Sequence, residues 1–431
     1  MAKKNSEVKI QSSLFDALKK LDSDIETLEN AAGAEIPDWI STGNYILNAA
    51  ISGSIFKGMP SNRTMLLAGD SGTGKSYLAM SFCREAQKKG YLTIYLDSEG
   101  AIDRSFAERL GVDVSKLLWV PVDTIEKTKT FIATMIKELE EQNPETRDHV
   151  FIVLDSIGNL SSTKEKEDTL SGAGARDMTK QQALKALFRV CQSDLSRLGV
   201  GFVTIAHTYD AIGSYVPEKK VAGGNGAIYN ASSILMLSQK KLDGIDKNMD
   251  KDADAKKTTS TVKSGIWVTA TMKKSRFTIP QKVGFAIPFY SKPNPYLGLQ
   301  DYLNWENSGI CRGNVISQKD YDKMTPAAQA RVHVFTRTNP ETGEVETLYA
   351  EEKDTARNIV VKHLGCHIPL NELWTPKVFT DEFLHYIDEN IIRPAFELPS
   401  QEQYLVDEIA DIINNDNESE QLEDTVTTPE V

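Results

Sequence analysis

The chain has 431 residues and a mass of 47.8 kDa, with 40% hydrophobic and 26% charged residues, an ordinary balance for a globular protein of two or three domains. Its longest apolar runs, such as 232–238, fall far short of the ~18 residues a membrane span needs, and MAKKNSEVKI lacks the apolar stretch of a secretory leader, so membrane and secreted classes are set aside. The formal charge of −12 argues against nucleic acid in bulk, but eleven acids and no base fall in residues 397–431, leaving 50 acids against 49 bases elsewhere and room for local basic loops.

Cys83, Cys191, Cys311 and Cys366 lie far apart with no C-x-x-C, which predicts reduced thiols in a cytoplasm and no disulfide framework. His363, Cys366 and His367 lie close together but have no fourth ligand at finger spacing, so no metal is expected there.

In chain order, residues 8–30 read as a helix. Leu14, Leu18, Leu21, Ile25 and Leu28 form an apolar stripe ahead of Gly33 and Pro37, able to pack on its own body or on a neighbour. From about Arg63, apolar strands alternate with amphipathic helices. The strands are expected at Thr64–Ala68, Thr93–Asp97, Leu117–Val122, Val150–Asp155 and Gly201–Ala206, and the helices near 75–89, 103–110, 124–142 and 177–198. That alternation predicts an α/β fold with a mainly parallel sheet covered on both faces. The runs 232–239, 265–274 and 281–290 suggest an antiparallel extension. Segment 240–264, polar and rich in Lys and Asp, reads as a mobile insertion. From about Asn294 a small helical C-terminal domain is expected, then an acidic, disordered tail. The expected domains are thus an N-terminal arm over 1–37, a core over 38–293, a C-terminal domain over 294–399 and the tail over 400–431.

Gly69-Asp70-Ser71-Gly72-Thr73-Gly74-Lys75-Ser76 fits G-x-x-x-x-G-K-[ST] in full, directly after a strand and opening a helix. Gly69, Gly72 and Gly74 let consecutive backbone N–H groups face one cluster of phosphate oxygens, and the helix N-terminus adds positive potential. Lys75 would reach the β- and γ-phosphates of ATP, and the Ser76 hydroxyl would ligate Mg²⁺. The run Phe151–Ser156 places Asp155 at the end of a second strand, where it would hold the same Mg²⁺. Tyr95-Leu96-Asp97-Ser98-Glu99-Gly100 is another strand ending in acids. Glu99, 24 residues beyond Lys75, could orient and deprotonate an attacking water, with Asp97 a competing candidate and a helix-capping or solvated acid the plain alternative.

With these motifs in this order, and with DSEGAIDRSFAERLGV (97–112), LDSIGNLSSTKEKEDTL (154–170), KALFRV (185–190), AHTYD (206–210) and KKSRF (273–277), the chain resembles the RecA recombinases, in particular those of T-even-type bacteriophages. The likeness is strong over about 38–300 and loose over 301–396. It implies a RecA-like P-loop ATPase core with Glu99 as the catalytic glutamate, and Asp103 and Phe106 on adenine. His207 would stand where the family usually has a glutamine that senses γ-phosphate. Lys274 and Arg276 would reach a neighbouring subunit's ATP. Two loops would meet DNA: 161–180, with Arg176, and 208–227, with Tyr215 as a wedge between bases, Lys219, Lys220, Gly223, Gly224 and Asn225.

The resemblance also implies self-association into a helical filament through the N-terminal stripe. The DNA partners would be single-stranded DNA and homologous duplex, and the protein partners single-strand-binding and mediator proteins. The activity would be ATP-dependent strand exchange in recombination, repair and replication, in the host cell cytoplasm if phage-encoded. A RecA-core ring helicase or other DNA-translocating ATPase is the alternative. The acidic tail would restrain duplex capture by competing with DNA.

Overall fold

The structure, a computed structural model, describes residues 13–21, 25, 27, 35–144, 146–171, 180–210, 219–223, 225–240, 265–289, 293–340 and 342–398. The expected insertion (from residue 241), the acidic tail and most of the N-terminal segment lie outside these residues, as do Arg176, Tyr215 and Gly224. The elements up to residue 240 run α1 (Ser13–Leu21), β1 (Trp39–Ile40), α2 (Tyr45–Ser52), β2 (Met59–Pro60), β3 (Thr64–Gly69), α3 (Lys75–Lys88), β4 (Leu92–Asp97), α4 (Arg104–Arg109), β5 (Leu117–Pro121), α5 (Ile125–Glu141), β6 (Val150–Asp155), α6 (Thr163–Ser171), α7 (Lys180–Arg197), β7 (Gly201–Asp210), β8 (Lys219–Val221), α8 (Asn225–Asn230) and β9 (Ser233–Lys240). Two compact units result, one of 1–42 with 59–238 and one of 43–58 with 239–431.

In the first unit, β9, β3, β7, β6, β4 and β5 lie side by side in that order and pair in parallel. Strands β3 and β6 are buried at every position, which is why they read as unbroken apolar runs rather than as alternation. Leu66, Leu96, Ile152, Leu154, Phe188 and Phe202 belong to one core beneath α5 and α7. Helix α5 starts where Thr124 accepts the Lys127 N–H, and it buries Ile125, Ile132, Ile136 and Leu139 along one face. β5 is the outer strand of this order, with Leu118 and Trp119 about half exposed.

The register sets Asp97 opposite Asp155 and Gly69 opposite His207, so the carboxyl ends of four strands form a single edge. In helix α1 the stripe is open to solvent, with Leu14 65% and Leu21 82% exposed.

In the second unit, β10 (Gly265–Lys274) and β11 (Lys282–Pro288) form an antiparallel pair with every second residue of β10 buried over Ile266–Met272. Helix α2, buried over Ile46–Ser52, packs on both. The expected helical C-terminal domain is corrected here. Residues 310–369 form an antiparallel sheet of β12 (Ile310–Ile316), β13 (Val332–Thr338), β14 (Val345–Glu352), β15 (Asn358–Val361) and β16 (Cys366–Pro369), in the order β13-β14-β12-β15-β16. The β13–β14 pair buries little: Phe335 is the buried residue of β13 and Ala350 that of β14, whereas β15 buries Ile359–Val361. The apolar Val332, Val334, Val345 and Leu348 of β13 and β14 are only partly buried or exposed, which hides the period-two pattern. His363 packs against Phe383 with the ring centroids 4.4 Å apart and the planes tilted by 43°, and His367 Nδ1 accepts the Val315 N–H at 3.2 Å.

Asp388, 1% exposed, holds this unit together from within. It accepts the Ser54 hydroxyl (2.9 Å), the Ile55 N–H (2.7 Å) and Arg393 Nε (3.0 Å). Asp388→Ala would strand three donors, so a loss of ~3 kcal/mol in urea unfolding is expected, and a change within ~0.5 kcal/mol would contradict this role.

Candidate functional site

The loop between β3 and α3 is shaped by its glycines. Gly72 and Gly74 adopt φ of 78° and 88°, the left-handed region that other residues enter at a cost, and Gly74 is the residue that caps α3. At Gly69 the constraint is space: a Cβ would sit 2.5 Å from the Leu237 carbonyl oxygen and 2.7 Å from Thr73 Oγ1. Lys75 is 6% exposed, and its Nζ donates to the Gly69 and Asp70 carbonyls at 2.9 and 2.8 Å. Burial lowers the pKa of its ammonium group, partly offset by Asp155, Glu99 and Asp70. The cation is therefore held by weak neutral acceptors, in a place where an anionic oxygen would hold it better.

Next to it, Asp155 Oδ2 accepts the Ser76 hydroxyl at 2.8 Å and the Tyr95 hydroxyl at 2.6 Å. Asp155 is 3% exposed. Burial raises the pKa of its carboxyl above the usual range, against the lowering effect of those two hydrogen bonds. A hydroxyl and a buried carboxylate so close are two hard oxygen donors in search of positive charge, a set that fits Mg²⁺. Tyr95, fully buried, fixes the carboxylate and was not among the residues singled out from the sequence.

The two acids at the end of β4 have different surroundings. Asp97, 3% exposed, is spent on local structure: Oδ1 accepts the N–H groups of Glu99 (3.0 Å) and Gly100 (2.8 Å), and Oδ2 accepts Trp119 Nε1 (3.0 Å). Glu99 instead faces Ser156, whose hydroxyl donates to Glu99 Oε1 at 2.7 Å, and His207, whose Nε2 lies 3.0 Å from the same oxygen. The geometry thus puts Lys75, Ser76, Asp155, Glu99 and His207 on one strand edge. Asp103 caps α4 through Oδ1, which accepts the Phe106 N–H at 2.8 Å and the Ser105 hydroxyl at 2.6 Å. Those bonds keep its pKa low, and Phe106 is half-buried beside it.

Within the loop expected over 208–227, the described residues 208–210, 219–221 and 225–227 lie in regular elements. Strand β7 continues past Ala206 to Asp210, β8 returns antiparallel to it, and α8 starts at Asn225. Lys219 Nζ reaches Asp70 Oδ2 at 3.0 Å and Asp210 Oδ1 at 2.9 Å. Likewise, the loop expected over 161–180 begins with a helix, α6.

One group of residues escaped the sequence reading. An open pocket of about 490 Å³ between α7 and α8 is lined by Gln182, Lys185, Arg189, Gly226, Tyr229 and Asn230. A Cβ on Gly226 would stand 3.0 Å from Lys185 Cγ, so the glycine allows the two helices to approach. The only signal for this basic, aromatic-walled surface was the stretch KALFRV beside the glycine run at 223–226. Lys274 and Arg276 belong to the second compact unit. Lys274 ends β10 and has its pKa lowered by burial and then by Arg276, in a turn where Ser275 Oγ accepts the N–H groups of Phe277 and Thr278 at 3.0 and 3.1 Å.

The family model described as the RecA N-terminal domain matches residues 15–285, more than half of the chain. The "Recombination and repair protein" of Enterobacteria phage T4 is 27% identical over 269 residues, 61% of this chain and 63% of its own length. The "Protein RecA" of Brucella canis is 29% identical over 241 residues, 52% of this chain and 62% of its own, and that of Brucella suis gives the same figures. The chain thus spans a little under two thirds of the length of the curated relatives it matches. Among the described residues no helix is long and apolar enough to cross a membrane.

The loop's two kinds of glycine separate experimentally. Gly69→Ala must displace backbone and should lower unfolding stability by ~2 kcal/mol or more, whereas Gly72→Ala, with nothing within 4 Å, meets only the left-handed penalty of about 1 kcal/mol. Equal costs in denaturant unfolding would contradict the packing described.

Proposed function

The chain belongs to the RecA N-terminal domain family, and on that footing we propose that it is an ATP-dependent recombination protein that polymerises on single-stranded DNA and pairs it with homologous duplex. The single observation that carries the catalytic half of this reading is the environment of Glu99. A carboxylate oriented by Ser156 and His207 sits on the same strand edge as the phosphate loop, while its neighbour Asp97 is consumed by capping.

In this reading Lys75 leaves the loop carbonyls for the β- and γ-phosphate oxygens of ATP. Ser76 and Asp155 would hold Mg²⁺, which supplies charge neutralisation of the phosphates when bound. Glu99 orients the attacking water and accepts its proton, and Ser156 keeps the carboxylate turned toward the loop. His207 touches Glu99 on one side and continues into the β7–β8 hairpin on the other, so the state of the nucleotide is felt where DNA would lie. Asp103 and Phe106 would meet the adenine. Lys274 and Arg276 would complete the site of an adjacent subunit, stabilising charge that develops on the γ-phosphoryl group.

On the DNA side, Lys220 and the glycine-rich turn before α8, together with Arg176, Tyr215, Gly223, Gly224 and Asn225, are assigned to the backbone and bases. The α7–α8 pocket adds Lys185 and Arg189 as phosphate partners and Tyr229 as a stacking surface. These contacts ignore sequence, as suits a protein that leaves reading to base pairing. The exposed leucines of α1 support docking on a neighbouring copy within a filament. Loading by single-strand-binding and mediator proteins belongs to the same proposal.

Two variants test the site. Lys75→Ala is expected to lose nucleotide binding, measured by equilibrium titration, and wild-type affinity would remove the loop from the account. Glu99→Gln should keep ATP binding within a few-fold while DNA-stimulated turnover falls by about two orders of magnitude or more, and turnover near wild type would remove Glu99 from water activation.

A further inference from the structure

The family resemblance implies Lys219 and Lys220 together as DNA contacts, but the pleat separates them. In the β7–β8 pair, Asp210 stands opposite Lys219 and Tyr209 opposite Lys220, and successive residues of a strand face opposite sides. Lys219 therefore shares the side of Asp210 and, two residues back, Thr208. That is the side of the phosphate loop: the parallel register Gly69↔His207 runs residue 70 alongside residue 208. The Thr208 hydroxyl and Lys219 Nζ both converge on the Asp70 carboxylate, and Lys219 is held from behind by Asp210 at 2.9 Å. The hydrogen bond from Thr208, then that from Lys219, keeps the pKa of Asp70 low, so the loop carries a full negative charge.

A carboxylate is an awkward component of a loop that gathers phosphates. Set one residue after the first glycine, it opposes each incoming negative charge unless a cation neutralises it. We propose that Lys219 is a positioning residue of the nucleotide site, compensating Asp70 so that the loop accepts polyphosphate, and not a contact to the DNA backbone. This deepens the proposed function and rests on its reading of residues 69–76 as a nucleotide site. The ion pair is half exposed, so it adds little to folding stability. Its effect is expected instead in the binding of a ligand bearing three or four charges, and more at low ionic strength than at high.

The test is titration of the full-length protein with a fluorescent ATP analogue and Mg²⁺, without DNA, at low and high salt. Lys219→Gln is expected to weaken binding by about fivefold or more at low salt, with the ADP analogue affected less and the unfolding midpoint unmoved. Lys219→Arg should restore most of the affinity. The double variant D70N/K219Q should return to within about twofold of wild type, since Asn keeps an acceptor for Thr208 without the charge. Affinity of Lys219→Gln within twofold of wild type, or no recovery in the double variant, overturns the proposal while leaving the nucleotide site intact. Wild-type protein that binds no ATP analogue overturns the nucleotide-site reading itself, and this inference with it. Should Lys219→Gln fail to fold, Asp70→Asn alone decides: binding at least as tight as wild type supports compensation, and weaker binding overturns it.

Discussion

The site depends on one buried interaction, the Asp155 carboxylate shared by Ser76 and Tyr95. It ties α3, which follows the phosphate loop, to the strand two places away and to the strand beyond that. A buried carboxylate with two hydrogen-bond donors, and with the Lys75 ammonium group as a nearby cation, is costly in a folded chain, and burial shifts its pKa upward accordingly. The arrangement makes sense as one kept ready for a ligand, because the same strain becomes affinity when positive charge arrives. Lys75 shows the mirror image: a buried ammonium group resting on two backbone carbonyls.

Around this pair, parallel register does the positioning. Because β4 and β6 are aligned at Asp97 and Asp155, and β3 and β7 at Gly69 and His207, side chains from distant parts of the sequence reach one edge without any long loop. β7 has a double part in this. Its residue 207 meets the Glu99 carboxylate, and its residues 208–210 carry the hairpin whose other strand holds Lys219 and Lys220. Strand β7 thus links the Glu99 contact to the β7–β8 pair.

The parallel core was legible from sequence because fully buried strands leave little ambiguity: after Thr64, β3 is apolar up to its glycine loop, and β6 is apolar up to its terminal acid. Asp97 and Glu99 were not separable by spacing. What separates them is that Asp97 lies low enough to catch two N–H groups of its own turn and the Trp119 indole, a three-dimensional fact. Tyr95 escaped notice because a buried tyrosine in an apolar strand looks like core packing until its hydroxyl partner is known. The C-terminal sheet was missed for the opposite reason: β13 and β14 are mostly half-exposed, β15 is only four residues long, and a strand such as Val332–Thr338 buries too little to print a period of two. Lys219 and Lys220 look equivalent in a row, and only the strand pairing assigns them to opposite faces.

The central claim is that phosphate occupancy of the loop decides whether the chain assembles on DNA. Electron microscopy of the full-length protein with single-stranded DNA addresses it directly, with and without a non-hydrolysable ATP analogue. Regular helical filaments are expected with the analogue, and none, or only short irregular assemblies, without it. Filaments of equal length and order in both conditions, or none in either, would contradict it.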